Sequence, residues 1–123
     1  MPATLQQARA ELCALGDEAV DALLAALSSS VREVRGNAAL TLGQMRAQRA
    51  VDAIGEMARA DEDATVRPLA VRALADIADT SAPSRLKVLL IEALGSKDMF
   101  CRALACTGLG RVGDEHCREA LRL

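Results

Sequence analysis

The chain has 123 residues, the length of a single domain that can bury its own core without a metal or disulfides. Its formal net charge of −2 argues against the strong basic field that drives nucleic-acid binding. Hydrophobic residues make up 51% of the chain, but Phe100 is the single aromatic, so there is little material for strands. Because Ala, Leu, Glu and Arg favour helices, the composition predicts an all-helical protein.

The N-terminal stretch "MPATLQQARAEL" has polar residues throughout, unlike a signal peptide or a transit segment. The longest apolar runs, such as residues 22–27, are far shorter than a membrane span. We therefore expect a cytoplasmic protein with no membrane partner.

Apolar residues recur with the helical period along the whole chain, as Val20, Leu23, Leu24 and Leu27 illustrate. Turn residues separate the periodic segments, and Asp and Ser in these turns can cap the helix that follows. Eight helical segments are predicted, in chain order: 5–15, 18–27, 34–45, 49–58, 66–77, 84–94, 101–112 and 114–123.

Three of these segments repeat one another: "VRGNAALTLGQM", "VRPLAVRALADI" and "CRALACTGLGRV". Their shared leucines, Leu42, Leu74 and Leu109, are 32 and 35 residues apart, and "LQQARAELCAL" is a weaker fourth copy. Each copy is followed by a second helix, so the repeats are helical hairpins at about 3–30, 31–63, 64–97 and 98–123. One hairpin cannot bury its apolar face alone, and stacking of neighbours creates a continuous core.

The pattern V-R-x-x-A-A-x-x-L-G-x-M resembles the HEAT repeat, in particular the short alanine-rich HEAT-like type also found in phycobilin lyase subunits. The resemblance covers essentially all 123 residues. It implies an α-solenoid of about four stacked helical hairpins that form a single domain over residues 1–123.

Two repeated positions have structural interpretations. The arginines at the start of the first helices, Arg35, Arg67 and Arg102, suggest a phosphate ladder, but HEAT repeats use such arginines to bind a neighbouring turn. Gly43 and Gly110 occupy the position after the shared leucine, where we expect the two helices of a hairpin to approach closely.

The stretch "GLGRVG" matches the dinucleotide-binding fingerprint at Gly108, Gly110 and Gly113. That fingerprint requires a preceding strand, a following helix and an acidic residue about 20 positions later. The residues before Gly108 align with helices in the other repeats, and only ten residues follow Gly113. We therefore expect a hairpin joint here, with Gly113 in the turn, and no nucleotide site.

The remaining candidates for chemistry are Cys13, Cys101, Cys106, Cys117 and His116. A zinc site of Cys101, Cys106, His116 and Cys117 is conceivable, but buried structural cysteines and a solvated histidine are the simpler interpretation. Without Trp or Tyr the chain has no stacking platform for bases. We expect no catalytic residues, no metal, no cofactor and no nucleic-acid partner.

In a HEAT-type stack the second helices line the concave face. On this face the alignment of the second helices predicts a largely acidic row of residues. The row is interpreted either as an ordinary solvated face or as a groove for a basic segment of another protein. Its residues are Asp21, Asp52, Glu56, Lys87, Glu92 and Glu119, with Arg59, Arg118 and Arg122 beside them.

These observations favour a non-catalytic scaffold or adaptor that binds a partner protein. The alternative, which the resemblance suggests, is an accessory subunit of an enzyme such as a phycobilin-lyase-like complex that handles a chromophore. The apolar edge of "CREALRL" indicates either a longer array or a homodimer through the C-terminal repeat.

Overall fold

The computed structural model describes residues 5–78 and 84–112, with side chains from residue 16 onward. These residues form helices and contain no strand, so the all-α prediction is confirmed for them. The six α-helices are α1 (Leu5–Ala26), α2 (Arg32–Gln44), α3 (Val51–Ala60), α4 (Val66–Ile77), α5 (Ser84–Leu94) and α6 (Met99–Arg111). Within the described part of the chain, no helix is both long and apolar enough to cross a membrane.

The helices stack as an α-solenoid. The first helices of successive repeats pack in a row, α2 against α4 and α4 against α6. Each second helix packs on the first helix of the next repeat, α3 on α4 and α5 on α6. The boundaries of the four repeats stay a prediction, and the last predicted helix, 114–123, lies outside the described residues.

The core follows the repeated sequence pattern. The shared leucines Leu42, Leu74 and Leu109 have no exposed surface. Four residues before each leucine stands a buried alanine, which lets neighbouring helices approach. The first position of the pattern is less regular. Val34 is 41% exposed, whereas the equivalent Val66 is buried.

The first repeat differs from the prediction. A hairpin with a turn at Gly16-Asp17 was expected there, but α1 is one continuous helix from Leu5 to Ala26. A single glycine without proline lowers helix stability by only about 1 kcal/mol, and the residues around Gly16 are strong helix formers. The turn prediction at Gly16 is therefore wrong.

The turn after α2 depends on a left-handed residue. Arg46 has φ 53°, and its N–H donates to the Gly43 carbonyl at 3.0 Å. The N–H of Ala47 donates to the Leu42 carbonyl at 3.1 Å, which completes a Schellman motif. The chain then passes through a 3₁₀ turn, Gln48–Ala50, directly into α3, and this path sets the position of Arg49.

Small residues allow the first helices to touch. A Cβ atom added at Gly43 would lie 2.7 Å from the Cα atom of Ala73 on α4. In the next repeat pair, a Cβ atom at Gly108 would lie 3.1 Å from the Cα atom of Ala75 and 2.9 Å from the Leu90 side chain. The close approach thus joins first helices of successive repeats, not the two helices of one hairpin as predicted.

The prediction for Gly110 is wrong. Gly110 is exposed, and a Cβ atom there would meet nothing within 4 Å. The pairs Gly43–Ala73 and Ala75–Gly108 show that the position after the leucine contacts the position before the leucine of the next repeat. Gly110 stands after the leucine of α6, the final described helix, where no further described first helix packs.

The two glycines give a matched test of this packing. We expect Gly43→Ala to lower the free energy of unfolding by roughly 1–3 kcal/mol, because the backbone of Ala73 has to move. We expect Gly110→Ala to leave it unchanged or to raise it by up to about 1 kcal/mol, since alanine favours an exposed helix. Urea unfolding followed by circular dichroism measures both, and equal effects would contradict the proposed contact.

Candidate functional site

The acidic row predicted from the sequence lies on the second-helix surface, which we define as the exposed sides of the C-terminal half of α1, of α3 and of α5. Asp21 is on α1, Asp52 and Glu56 are on α3, and Lys87 and Glu92 are on α5. All five side chains belong to exposed residues. Glu119, Arg118 and Arg122 lie outside the described residues.

Arginines from the next repeat bind the first two carboxylates of this row. Arg49 Nη1 donates to Asp21 Oδ1 at 2.9 Å, and Arg85 Nε donates to Asp52 Oδ1 at 2.9 Å. Arg49 also donates to the Asp17 carbonyl at 3.1 Å. The first ion pair connects α1 to the 3₁₀ turn before α3, and the second connects α3 to α5.

A third arginine binds the other two described carboxylates. Arg59 donates to Glu56 Oε1 at 3.0 Å within α3 and to Glu92 Oε2 on α5 at 2.7 Å. The four described carboxylates of the row therefore face three arginines, so the surface carries alternating charges and is not simply acidic.

The sequence prediction missed Arg49 and Arg85. Both arginines stand near the start of a second helix, Arg49 three residues before Asp52 and Arg85 three residues before Val88, the position aligned with Asp52. This repeated basic position was the available signal, but the contact crosses from one repeat to the next and depends on how the repeats stack.

The repeated arginines at the first helices bind turns, as predicted. Arg35, Arg67 and Arg102 each donate Nη1 to the backbone carbonyl six residues earlier, at 3.0, 2.7 and 2.8 Å. The accepting carbonyls belong to Ser29 and to its equivalents Asp61 and Ser96 in the later turns. The second, third and fourth repeats thus each bind the turn that precedes them in the same way.

Arg35 also forms a buried ion pair. Its Nε and Nη2 donate to the two carboxylate oxygens of Asp61 at 2.9 and 3.1 Å, and both side chains are less than 10% exposed. Burial opposes ionisation of Asp61, but the hydrogen bonds from Arg35 and from the Asp63 N–H outweigh it and lower its pKa. The bidentate geometry makes this pair a specific link between repeats.

Asp63 lies in the same turn. The hydroxyl and the N–H of Thr65 and the guanidinium of Arg32 hydrogen-bond its carboxylate and lower its pKa to about 2. Asp63 and Asp61 therefore stay ionised in the folded protein at pH values where free carboxyl groups are protonated.

The described residues bring no metal-binding cluster together. No group of three or more His, Cys, Asp or Glu among them is placed to hold a metal ion. Cys101 and Cys106 are buried, and burial raises the pKa of the Cys101 thiol, which keeps it protonated at neutral pH. Cys117, His116 and Gly113 lie outside the described residues, and so does the side chain of Cys13.

The buried and exposed ion pairs give a matched test. We expect Asp61→Ala to lower the free energy of unfolding by roughly 3 kcal/mol, because Arg35 stays buried without its carboxylate. We expect Asp52→Ala, which removes the partner of exposed Arg85, to lower it by less than about 1 kcal/mol. Chemical denaturation measures both variants, and a larger loss for Asp52→Ala would contradict this assignment.

The lowered pKa values predict acid sensitivity. A carboxyl group whose pKa is lower in the folded state stabilises the fold above its unfolded pKa, and this stabilisation disappears as the pH falls through the folded pKa. For Asp63 that window runs from 3.8 down to about 2. We expect the midpoint temperature of unfolding to fall as the pH is lowered through this window, and to fall less steeply in Asp63→Asn. Thermal melts from pH 5 to 2 measure this dependence, and identical slopes of midpoint temperature against pH in the two proteins would disprove the role of Asp63.

Comparison with known proteins agrees with this architecture. No curated protein matches the chain significantly. The sequence model of the family described as HEAT repeats matches residues 2–75, which is more than half of the 123 residues. The match covers α1, α2, α3 and most of α4, and the stacking of α4, α5 and α6 continues the same pattern. The chain therefore belongs to the HEAT repeat family.

Proposed function

We propose that this protein is a non-catalytic scaffold that binds a partner protein along its second-helix surface. HEAT repeats are commonly protein-interaction scaffolds. The observation that carries the proposal is the series of ion pairs Asp21–Arg49, Asp52–Arg85 and Glu92–Arg59, each of which links one repeat to the next along this surface. These pairs hold exposed charged groups at fixed positions along the stack, and such preorganisation reduces the entropy lost on binding.

Apolar side chains on the same surface support the proposal. Val88 and Ile91 of α5 are 45% and 37% exposed, next to the ion pair of Arg59 and Glu92. Protein interfaces combine apolar contacts at the centre with a polar rim. Alternating charges and exposed aliphatic groups provide both components.

The charges of this surface favour a partner segment with basic residues spaced to match the carboxylates. Because Arg49, Arg85 and Arg59 already neutralise the carboxylates, a partner lysine or arginine has to share or replace them. The charges then mainly determine how fast the partner associates and how it is aligned on the surface, and they contribute less to the binding affinity.

Other expectations from the sequence are not part of this proposal. Nothing in the described residues favours the accessory-subunit alternative or chromophore binding. The homodimer through the C-terminal repeat involves residues 113–123, outside the described part. Cytoplasmic location and the absence of nucleic-acid, membrane and cofactor binding stay predictions.

Charge reversal tests the proposal. We expect Asp52→Lys with Glu56→Lys to lose partners that the wild-type protein captures from a lysate of its source cells, because both changes lie on α3 in the middle of the row. The residues are 79% and 64% exposed at their side chains, so the fold tolerates the change. Affinity purification with mass spectrometry measures the captured set.

The matched control is Glu33→Lys with Glu62→Lys, which changes the net charge equally at exposed positions outside the second helices. We expect this control to capture the wild-type set. If both double variants lose the same proteins, or neither loses any, the second-helix surface is not the binding site.

A further inference from the structure

Arg67 occupies the position of Arg35 one repeat later, but its surroundings differ. Asp61 and Ser96 are equivalent turn residues: each side chain accepts the N–H two residues later, and each carbonyl accepts Nη1 of the arginine six residues later. Arg35 reaches the following turn and finds the carboxylate of Asp61. In the turn that follows Arg67, the residue equivalent to Asp61 is Ser96, which has no carboxylate.

The Arg67 guanidinium is consequently less occupied. Among residues 5–78 and 84–112 it makes one hydrogen bond, from Nη1 to the Asp61 carbonyl at 2.7 Å. In Arg35 the remaining edge, Nε and Nη2, binds both carboxylate oxygens of Asp61. In Arg67 that edge has no partner among the described residues.

Arg67 also lines a cavity. Its volume is about 230 Å³, and Ser96 lines it as well. Val71, Leu74 and Leu89, all buried, form an apolar wall. The cavity therefore combines a guanidinium with a hydrophobic surface, which is the composition of a small-ligand site.

The guanidinium of Arg67 makes its side of the cavity favourable for an anion. Arg59 and Glu92 also line the cavity and pair with each other at 2.7 Å, and Arg59 is shared with Glu56, so these groups add no positive charge. Arg67 adds a positive charge that no described carboxylate pairs with, and the thiol of Cys101, also in the wall, is neutral because burial raises its pKa. A planar guanidinium edge matches a carboxylate in a bidentate geometry.

We propose that this cavity binds a carboxylate carried on a short apolar group, held by Arg67 as Arg35 holds the carboxylate of Asp61. The volume is below the roughly 300–1,000 Å³ of sites for drug-sized molecules, which limits the ligand to about the size of one amino-acid residue. A free small carboxylic acid and the C-terminal residue of another chain share this chemistry. The inference is independent of the second-helix binding proposed above.

Titration with defined probes tests the site and distinguishes the two sources. Hexanoate represents the free acid and N-acetyl-leucine represents a chain terminus, while 1-hexanol and N-acetyl-leucinamide are the uncharged controls. We expect a Kd on the order of 1 mM for at least one acid, with NMR shifts of the Gly55 and Gly95 amides and of Arg67 Nε–H, and no such shifts with the controls. Tighter binding of hexanoate indicates a free acid, and tighter binding of N-acetyl-leucine indicates a chain terminus.

The variant Ser96→Asp tests the mechanism. It gives the turn Ser96-Lys97-Asp98 carboxylates at its first and third positions, as Asp61 and Asp63 provide in the preceding turn, so the new carboxylate should occupy Arg67 from within the protein. We expect at least tenfold weaker binding of the acid and an increased unfolding temperature. Both effects follow from one intramolecular ion pair.

Ser29→Asp is the matched control, since Ser29 is the equivalent turn residue and lies away from the cavity. We expect it to bind the acid as the wild-type protein does. The proposal is overturned if no acid shifts these signals at about ten times the expected Kd, if Ser96→Asp binds like the wild type, or if both variants lose binding.

Discussion

The structure depends on one steric constraint, the contact between the first helices of successive repeats. Where Gly43 meets Ala73 and Ala75 meets Gly108, a larger side chain would separate the helices. Because these helices touch, Leu42, Leu74 and Leu109 are fully enclosed and the second helices come close enough for ion pairs. The contact thereby determines both the core and the surface proposed to bind a partner.

The repeated arginines add a polar counterpart to this packing. Each one anchors its helix to the turn before it through a single backbone carbonyl, which any residue at that turn position provides. The side chain of this turn residue can differ between repeats. It determines whether the arginine of the preceding repeat has a carboxylate to bind. Asp61 completes an ion pair with Arg35, while Ser96 leaves space beside Arg67.

The sequence alone predicted the features that recur at the same position within each repeat. The leucine and alanine positions and the turn-binding arginines were all predicted, because period and register are visible in one dimension. Contacts between repeats were not predictable in the same way. Gly110 was mistaken for a packing glycine because Gly43 is one, although only the next helix decides whether that position is crowded.

The same reason explains the other differences. The row on the second helices was predicted as acidic because Arg49 and Arg85 reach it from the following repeat. The continuous helix through Gly16 reflects local helix propensity, which overrode the alignment with later repeats.

Asp61 has a consequence for cooperativity. Its carboxylate binds Arg35 of the second repeat and its carbonyl binds Arg67 of the third, so opening of this one turn releases both repeats together. At Ser96 only the carbonyl takes part, through Arg102. In a stack whose stability is a sum of nearest-neighbour couplings, the link at Ser96 is the weaker one. Opening of the turn at Ser96 therefore releases fewer arginine links than opening of the turn at Asp61.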